Sequence, residues 1–322
     1  MKIHPKNPRT NRLSLGVSEG DIQKAVSRSG YPLQHLVAGH LQSKFKIQEE
    51  WSYFDKDSNA YRNIDILAEH RVCMPEDEDS RIYPYLDLLI ECKRSDLPFI
   101  FFLSSSRPSV PYFPQIAGLF NNNTMVSPYT GHLSPILRAL NLNEHPFLTT
   151  EPYYCMTFTK AVRKGKEIEF SGTEAFNGLI QPILKAEQNF ILVESPVKTS
   201  LYFDCHLVVA MAVIDAPMIG VCTKESAFDL ILLPWVRVVR HVTEDLQNIP
   251  DHLASVTAID VIHKDFLGKY LNSHLLPFSK EFSKQALLHH YELASNSPVV
   301  ELIKKYKKKL YERTRIRLKR KR

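Results

Sequence analysis

The spacing of apolar and polar residues predicts alternating helices and strands near the start of the chain. A helix is expected to begin at Ser18, which can cap it together with Asp21 three residues later. Gly30 ends that helix and a second one follows, because Pro32 suits a first helical turn. Apolar runs separated by turn-forming residues then predict strands at 45–54, 62–72 and 85–93, with a further short apolar run at 97–103.

The remaining pattern is less regular. Residues 104–171 are rich in proline and asparagine, which predicts a long loop-rich insertion with one helix at 133–140. Another helix is expected from Thr173 onward, with Pro182 as a site for a kink. Strand-forming runs follow at 207–214, 228–242 and 257–262, and helical patterns at 279–291 and 299–317. We therefore expect an α/β protein with a mixed sheet.

Composition narrows the class of protein. The chain has 322 residues, of which 44% are apolar and 24% charged, and these values exclude a disordered, collagenous or disulfide-rich protein. No stretch has the length and apolarity of a membrane-spanning helix, and the N-terminus lacks the apolar core of a signal peptide. The five cysteines are scattered and form no CxxC pair. We expect a cytoplasmic protein with reduced thiols, no zinc site and no membrane partner.

The charge is unevenly distributed. Residues 304–322 hold twelve Lys and Arg and a single acid, Glu312. Taking these from the 41 basic and 35 acidic residues of the chain leaves 29 and 34, so residues 1–303 carry a net charge of −5. Cationic tails of this kind bind nucleic acid or anionic surfaces by releasing counterions. A solvated helix end that aids solubility is the alternative, and charge alone does not separate the two.

Three charged residues stand at the ends of two apolar runs. Asp65 precedes the apolar part of the run 62–68, and Glu91 and Lys93 end the run 88–93. If the two runs form an antiparallel hairpin, a register symmetric about position 78 brings Asp65 opposite Glu91. Side chains two apart share a face of a strand, so Glu91 and Lys93 point the same way and the Cys92 thiol points into the core.

Two neighbouring carboxylates and a lysine suit metal-assisted hydrolysis. Carboxylate oxygens are the ligands preferred by Mg²⁺ and Mn²⁺, and a metal-bound water becomes a nucleophile near neutral pH. Lys93 would orient or help deprotonate that water, or stabilise negative charge that develops in the reaction. The plain alternative is a surface hairpin whose charges form a solvated cluster of ion pairs.

This pattern resembles the D…(D/E)XK signature of the PD-(D/E)XK nuclease superfamily. The resemblance implies a restriction-endonuclease-like αβββαβ core at 18–215 with the insertion at 104–171, an elaboration of the same domain at 216–303, and the basic tail. It also implies metal-dependent hydrolysis of phosphodiester bonds, with DNA as the expected substrate and Mg²⁺ or Mn²⁺ as cofactor. The implied setting is bacterial restriction or antiviral defence, and both a homodimer and defence-system partner proteins are compatible with it.

The resemblance also assigns roles to single residues. Asp65, Glu91 and the main-chain oxygen of Cys92 would bind the metal, and Lys93 would act on the attacking water. Many members carry a Glu on the first core helix, and Gln34 stands at the matching position here. Its amide would assist the site but bind Mg²⁺ more weakly than a carboxylate. Glu49 or Glu50 offers a further carboxylate, although each also fits an exposed strand end.

Gln34 and the long insertion favour a second interpretation. The chain would then be a catalytically silent nuclease-fold protein that binds nucleic acid or a partner protein. The intact set of Asp65, Glu91 and Lys93 opposes this interpretation. A third interpretation is an unrelated cytoplasmic protein in which the ExK spacing is a coincidence.

Overall fold

A computed structural model describes residues 1–75, 80–223, 227–241 and 256–295 of the chain. The N-terminal part is built as the sequence predicts, with two helices followed by three long strands and one short strand. Their bounds are α1 Glu19–Arg28, α2 Tyr31–Leu41, β1 Lys46–Asp55, β2 Ala60–Arg71, β3 Ile82–Arg94 and β4 Phe99–Leu103. Ser18 caps α1 in a capping box with Asp21, and Pro32 lies in the first turn of α2. Both predicted helix starts are confirmed.

The predicted loop-rich insertion at 104–171 is wrong in its second half. This region contains β5 Gln115–Ala117, β6 Thr124–Val126, β7 Leu133–Pro135, α3 Ile136–Ala139, α4 Pro146–Thr149, β8 Tyr153–Lys164 and β9 Glu167–Ser171. β8 is a twelve-residue strand inside the main sheet, and the expected helix at 133–140 is a single turn preceded by a strand. The prolines and asparagines before β8 favour a loop, and the buried residues of β8 do not alternate regularly. The sequence pattern therefore does not indicate a strand here.

The helix expected from Thr173 is present but irregular. It consists of α5 Gly172–Ala175, a π-helical turn Phe176–Ile180 and α6 Gln181–Val193. Pro182 lies in the first turn of α6, directly after the π-helical turn. Because proline has no N–H to donate to the preceding turn, a widened turn at this point is an understandable outcome.

The C-terminal part continues the same sheet and then becomes helical. Its elements are β10 Phe203–Asp215, β11 Met218–Thr223, β12 Phe228–Leu232, β13 Trp235–His241, β14 Val256–His263, a 3-10 turn Lys264–Phe266, α7 Leu267–Lys269, a π-helical segment Tyr270–Leu275, α8 Leu276–Leu288 and α9 His290–Leu293. The helix predicted at 299–317 and the basic tail at 304–322 lie outside the described residues.

One large mixed sheet organises the molecule, as an α/β fold requires. The strands follow the order β1-β2-β3-β10-β14-β13-β8-β4-β11-β12, with β5 paired to β10 and β9 to β8. β10 runs parallel to both β3 and β14, whereas β1, β2 and β3 form an antiparallel meander. The strands after residue 215 therefore belong to the same sheet as the predicted core.

β10 is buried over almost its whole length because both faces of the sheet are covered. Its run from Leu207 to Ile214 is apolar without alternation, which is typical of a strand with helices on both sides. One face packs against α2 and α8 through residues such as Val37 and Phe282, and the other packs against α6 through residues such as Ile183. Among the described residues, no helix is long and apolar enough to cross a membrane.

A buried ion pair joins β13 to β14. The Arg237 guanidinium donates from Nε and Nη2 to the two carboxylate oxygens of Asp260, at 2.7 and 2.9 Å, and both residues are fully buried. The Tyr270 hydroxyl also donates to Asp260, at 2.8 Å, and Arg237 Nη1 donates to the Phe147 carbonyl at 3.2 Å. This network ties the segment before β8 and the π-helical segment to the centre of the sheet.

We expect Asp260→Asn to lower the free energy of unfolding by about 3–5 kcal/mol, because it leaves a buried guanidinium without its counterion. Urea unfolding followed by circular dichroism would measure the loss. Asp265→Asn is the matched control, since Asp265 is exposed and surface charges contribute little. Equal unfolding midpoints for the two variants would contradict the importance of the buried pair.

Candidate functional site

The register of the β2–β3 hairpin is the one that the sequence predicts. Ile66 pairs with Ile90 and Ala68 with Leu88, and both pairs are symmetric about position 78. The paired ladder ends at Ile66 and Ile90, so Asp65 and Glu91 are the next residues on the two strands. The predicted juxtaposition of Asp65 and Glu91 follows directly from this register.

The Asp65 carboxylate bridges the gap where the two strands separate. Its Oδ2 atom accepts a hydrogen bond of 2.6 Å from the backbone N–H of Cys92. In an extended strand the N–H and C=O of one residue point to the same side, so the Cys92 carbonyl also faces away from β10. That carbonyl oxygen lies beside Gly30 at the start of α2, where an added Cβ would be 3.6 Å from it.

Gln34 contacts the backbone of Asp65. Its side chain is buried on α2, and its Nε2 atom donates a hydrogen bond of 3.1 Å to the main-chain oxygen of Asp65. The hydrogen bond of the Gln34 side chain is thus with the backbone of β2. It fixes the position of Asp65 relative to the first core helix.

Glu91 and Lys93 form an ion pair on the other strand of the site. Lys93 Nζ is 2.5 Å from Glu91 Oε1, and the exposed fractions of the two side chains are 37% and 7%. The two side chains share a face of β3, as predicted, whereas the Cys92 side chain is buried in the core on the other face. Lys93 therefore reaches solvent while Glu91 remains covered.

Burial dominates the electrostatics of the carboxylates. It raises the pKa of Glu91 to about 7; the neighbouring Asp65 charge acts in the same direction and Lys93 opposes it. Burial also raises the pKa of Asp65, against the opposing effects of the Cys92 N–H and Lys93. For Lys93, burial alone would lower the pKa, but the attraction of Glu91 outweighs it and the pKa is raised. Two largely covered carboxylates are costly as bare anions, and a bound cation would relieve that cost.

Glu50 adds negative charge to the same place. Glu49 pairs with Ile66 and Trp51 with Ile64, so Glu50 lies between these pairs, opposite Asp65. Glu50 is exposed and its φ is 53°, a left-handed conformation that is unusual for a non-glycine residue within a strand. Its charge raises the pKa of both Asp65 and Glu91, so it lies within electrostatic reach of both.

Two arginines that border the motif are engaged in structural contacts. Arg94 donates to the Ser27 carbonyl at the end of α1 and pairs with Asp96 and Asp215. Arg62 pairs with the buried Asp55 at 2.8 Å. Both arginines therefore already have intramolecular partners.

The donor set fits a hard divalent cation. Asp65 and Glu91 offer two carboxylates, and the Cys92 carbonyl faces the same side of β3 as the Asp65 contact. In the described part of the chain, no group of three or more His, Cys, Asp or Glu side chains is placed to hold a metal ion. Mg²⁺ commonly binds through only one or two carboxylates and keeps several waters, so two carboxylates and one carbonyl are sufficient.

Comparisons of the chain with protein-family models, curated proteins and solved structures found no match. Any function proposed for this protein therefore depends on the residues and the geometry of the site itself.

Proposed function

We propose that this protein is a Mg²⁺- or Mn²⁺-dependent nuclease of the PD-(D/E)XK type that hydrolyses phosphodiester bonds of DNA. The observation that carries the proposal is the hairpin register, which places Asp65 and Glu91 side by side at the point where β2 and β3 separate. Lys93 is paired to Glu91 and reaches solvent. Asp, Glu and Lys are the residue types of the D…(D/E)XK signature, which supports the proposal.

The order of elements also supports a restriction-endonuclease-like core. When the elements from β4 to β9 are set aside as inserted between β3 and α5, α2, β1, β2, β3, the helix that ends in α6 and β10 follow the order αβββαβ. β10 lies beside β3 and parallel to it, so the candidate site stands at the edge of a buried central pair of strands. The proposed setting is bacterial restriction or antiviral defence in the cytoplasm, with a homodimer or defence-system proteins as partners.

In the proposed mechanism, Asp65, Glu91 and the Cys92 carbonyl would hold the cation. When bound, the cation supplies activation of a water molecule and neutralises charge on the phosphate. The ammonium group of Lys93, which is paired with Glu91, would donate a hydrogen bond to that water or to a phosphate oxygen. Gln34 would act as a positioning residue by holding the backbone of Asp65.

The test is cleavage of plasmid DNA by the full chain with Mg²⁺, Mn²⁺ or EDTA. The proposal expects nicked or linear product with either metal and none with EDTA. A filter-binding assay with labelled duplex in EDTA accompanies it. Binding without cleavage under any metal would favour the catalytically silent protein, which the neutral Gln34 also suggests. If the chain neither binds nor cleaves DNA, the ExK spacing is a coincidence.

Glu50 gives a sharper test of the metal site. We expect Glu50→Gln to weaken Mn²⁺ binding about fivefold, because removing one charge near the site is worth roughly 1 kcal/mol. Titration calorimetry of the full chain with Mn²⁺ measures the effect. Glu49→Gln is the matched control, since Glu49 is also exposed but lies opposite the apolar Ile66. Identical affinities for the two variants would remove Glu50 from the site.

A further inference from the structure

The first 28 residues of the chain form a positively charged segment on an acidic body. Residues 1–28, which we call the cationic arm, hold six Lys and Arg but only two acids. Removing these from the 29 basic and 34 acidic residues of 1–303 leaves 23 and 32, so residues 29–303 carry a net charge of −9. The basic residues of the arm are Lys2, Lys6, Arg9, Arg12, Lys24 and Arg28.

The charges of the cationic arm are available to a partner. All six basic side chains are exposed, and none forms an ion pair with a carboxylate of the described residues. Its two acids are already engaged, because Glu19 pairs with the amino group of Met1 and Asp21 closes the capping box of α1. The field that the arm presents to solvent is therefore positive.

The structure fixes the C-terminal end of the cationic arm next to the candidate site. Arg94, the residue after Lys93, donates a hydrogen bond to the Ser27 carbonyl at the C-terminal end of α1. Gly30, just beyond α1, lies beside the Cys92 carbonyl. The ten residues of α1 then lead away over about 15 Å, and the Met1–Glu19 pair returns the chain start to the far end of this helix.

We propose that the cationic arm binds the phosphate backbone of duplex DNA beside the scissile phosphate. This inference rests on the proposed nuclease function. It explains how a protein whose residues 29–303 carry a net negative charge can bind DNA, which is itself a polyanion. At 3.4 Å per base pair, a helix of this length spans roughly four base pairs. The arm would thus contact phosphates several base pairs to one side of the cut and would bind them without regard to sequence.

An anionic lipid surface is the rival partner. α1 also exposes Ile22 and Val26, which share one side of the helix, and a cationic helix with an apolar side can lie on a membrane. DNA is favoured because both contacts of this segment, Arg94 with Ser27 and the Cys92 carbonyl with Gly30, attach it to β3, the strand that carries Glu91 and Lys93. Vesicles are therefore included in the test.

The experiment compares three forms of the full chain in EDTA, so that binding is measured without cleavage. The arm variant replaces Lys2, Lys6, Arg9 and Arg12 with alanine. The control variant makes the same change in charge at four other exposed lysines that have no ion pair among the described residues, Lys166, Lys198, Lys280 and Lys284. Fluorescence anisotropy of a short labelled duplex is titrated at several salt concentrations.

The arm variant should bind DNA about tenfold or more weakly than the control variant. Its log–log salt dependence should flatten by about 0.9 for each phosphate that the arm no longer neutralises, up to about 3.6 for four phosphates. A variant with Lys2→Arg, Lys6→Arg, Arg9→Lys and Arg12→Lys should retain wild-type binding, which shows that charge and not folding is at issue. Equal affinity and equal slope for the arm and control variants would overturn the inference.

Two further outcomes distinguish failure of the arm proposal from failure of the nuclease proposal. If the wild-type chain cleaves plasmid with Mg²⁺ but the arm variant binds DNA like the control, the nuclease proposal stands and the arm proposal fails. If the arm governs DNA binding but no metal supports cleavage, the arm proposal stands and the nuclease proposal fails. Loss of binding to phosphatidylserine vesicles with unchanged DNA binding would assign the arm to a lipid surface and overturn the proposal.

Discussion

Asp65→Asn is expected to abolish metal-dependent cleavage while leaving the fold and the affinity for DNA nearly unchanged. The asparagine Oδ1 atom can still accept the hydrogen bond from the Cys92 N–H, so the hairpin keeps its geometry. The variant loses one of the two proposed carboxylate ligands, and a neutral amide is a weaker ligand than a carboxylate for Mg²⁺ or Mn²⁺. Removing a negative charge near the phosphate would, if anything, help DNA to bind.

The measurement combines plasmid cleavage with Mn²⁺ calorimetry on the same preparations. Asp204→Asn is the matched control, because Asp204 is an exposed carboxylate on β10 opposite Tyr83, at the other end of β3. We expect the control to cleave and to bind Mn²⁺ like the wild type. An Asp65→Asn protein that cuts at the wild-type rate would disprove the assignment of Asp65 as a metal ligand.

The elements that the sequence predicts best are those with a strong local signal. Ser18 and Asp21 define a helix start by themselves, and the hairpin register at the site follows from the spacing of two apolar runs around a turn. β8 could not be predicted in this way, because its place between β13 and β4 depends on pairing with strands distant in the chain. Long-range pairing leaves little trace in local periodicity, particularly in a region rich in proline.

The same division applies to the site. Asp65, Glu91 and Lys93 are visible as charges that end apolar runs, and their meeting needs only the hairpin. The sequence predicts that the Gln34 amide assists the metal site; in the structure its Nε2 atom donates to the main-chain oxygen of Asp65. The sequence offers Glu49 or Glu50 as a further carboxylate of the site. The position of Glu50 opposite Asp65 depends on the register of β1 with β2. The cationic arm carries a clear charge signal, but its attachment to the site through Arg94 is a tertiary contact.

Lys93→Met should lower the cleavage rate by a factor of about 10²–10³, the usual cost of removing one positioned hydrogen-bond donor that stabilises developing charge. Methionine preserves the apolar stem of the side chain and removes the ammonium group. Affinity for Mn²⁺ should persist or increase, because Lys93 competes with a metal for the Glu91 carboxylate. The assay is best performed above pH 8, since burial already raises the pKa of Glu91 to about 7 and loss of Lys93 would raise it further. Single-turnover cleavage and Mn²⁺ calorimetry separate the two effects.

Two companion variants show whether Lys93 acts in the reaction or only in the fold. Lys93→Arg should rescue the rate poorly, because a planar guanidinium has a different shape and would place its N–H donors differently from the ammonium group. Lys185→Met is the matched control, since Lys185 is also paired with a buried carboxylate, Asp55, at 2.8 Å, but lies on α6 and not on β3. The control should lose stability without losing rate per folded molecule. If Lys93→Met instead cleaves as fast as the wild type and is merely less stable, Lys93 is a structural partner of Glu91 and the attacking water must be served by another group.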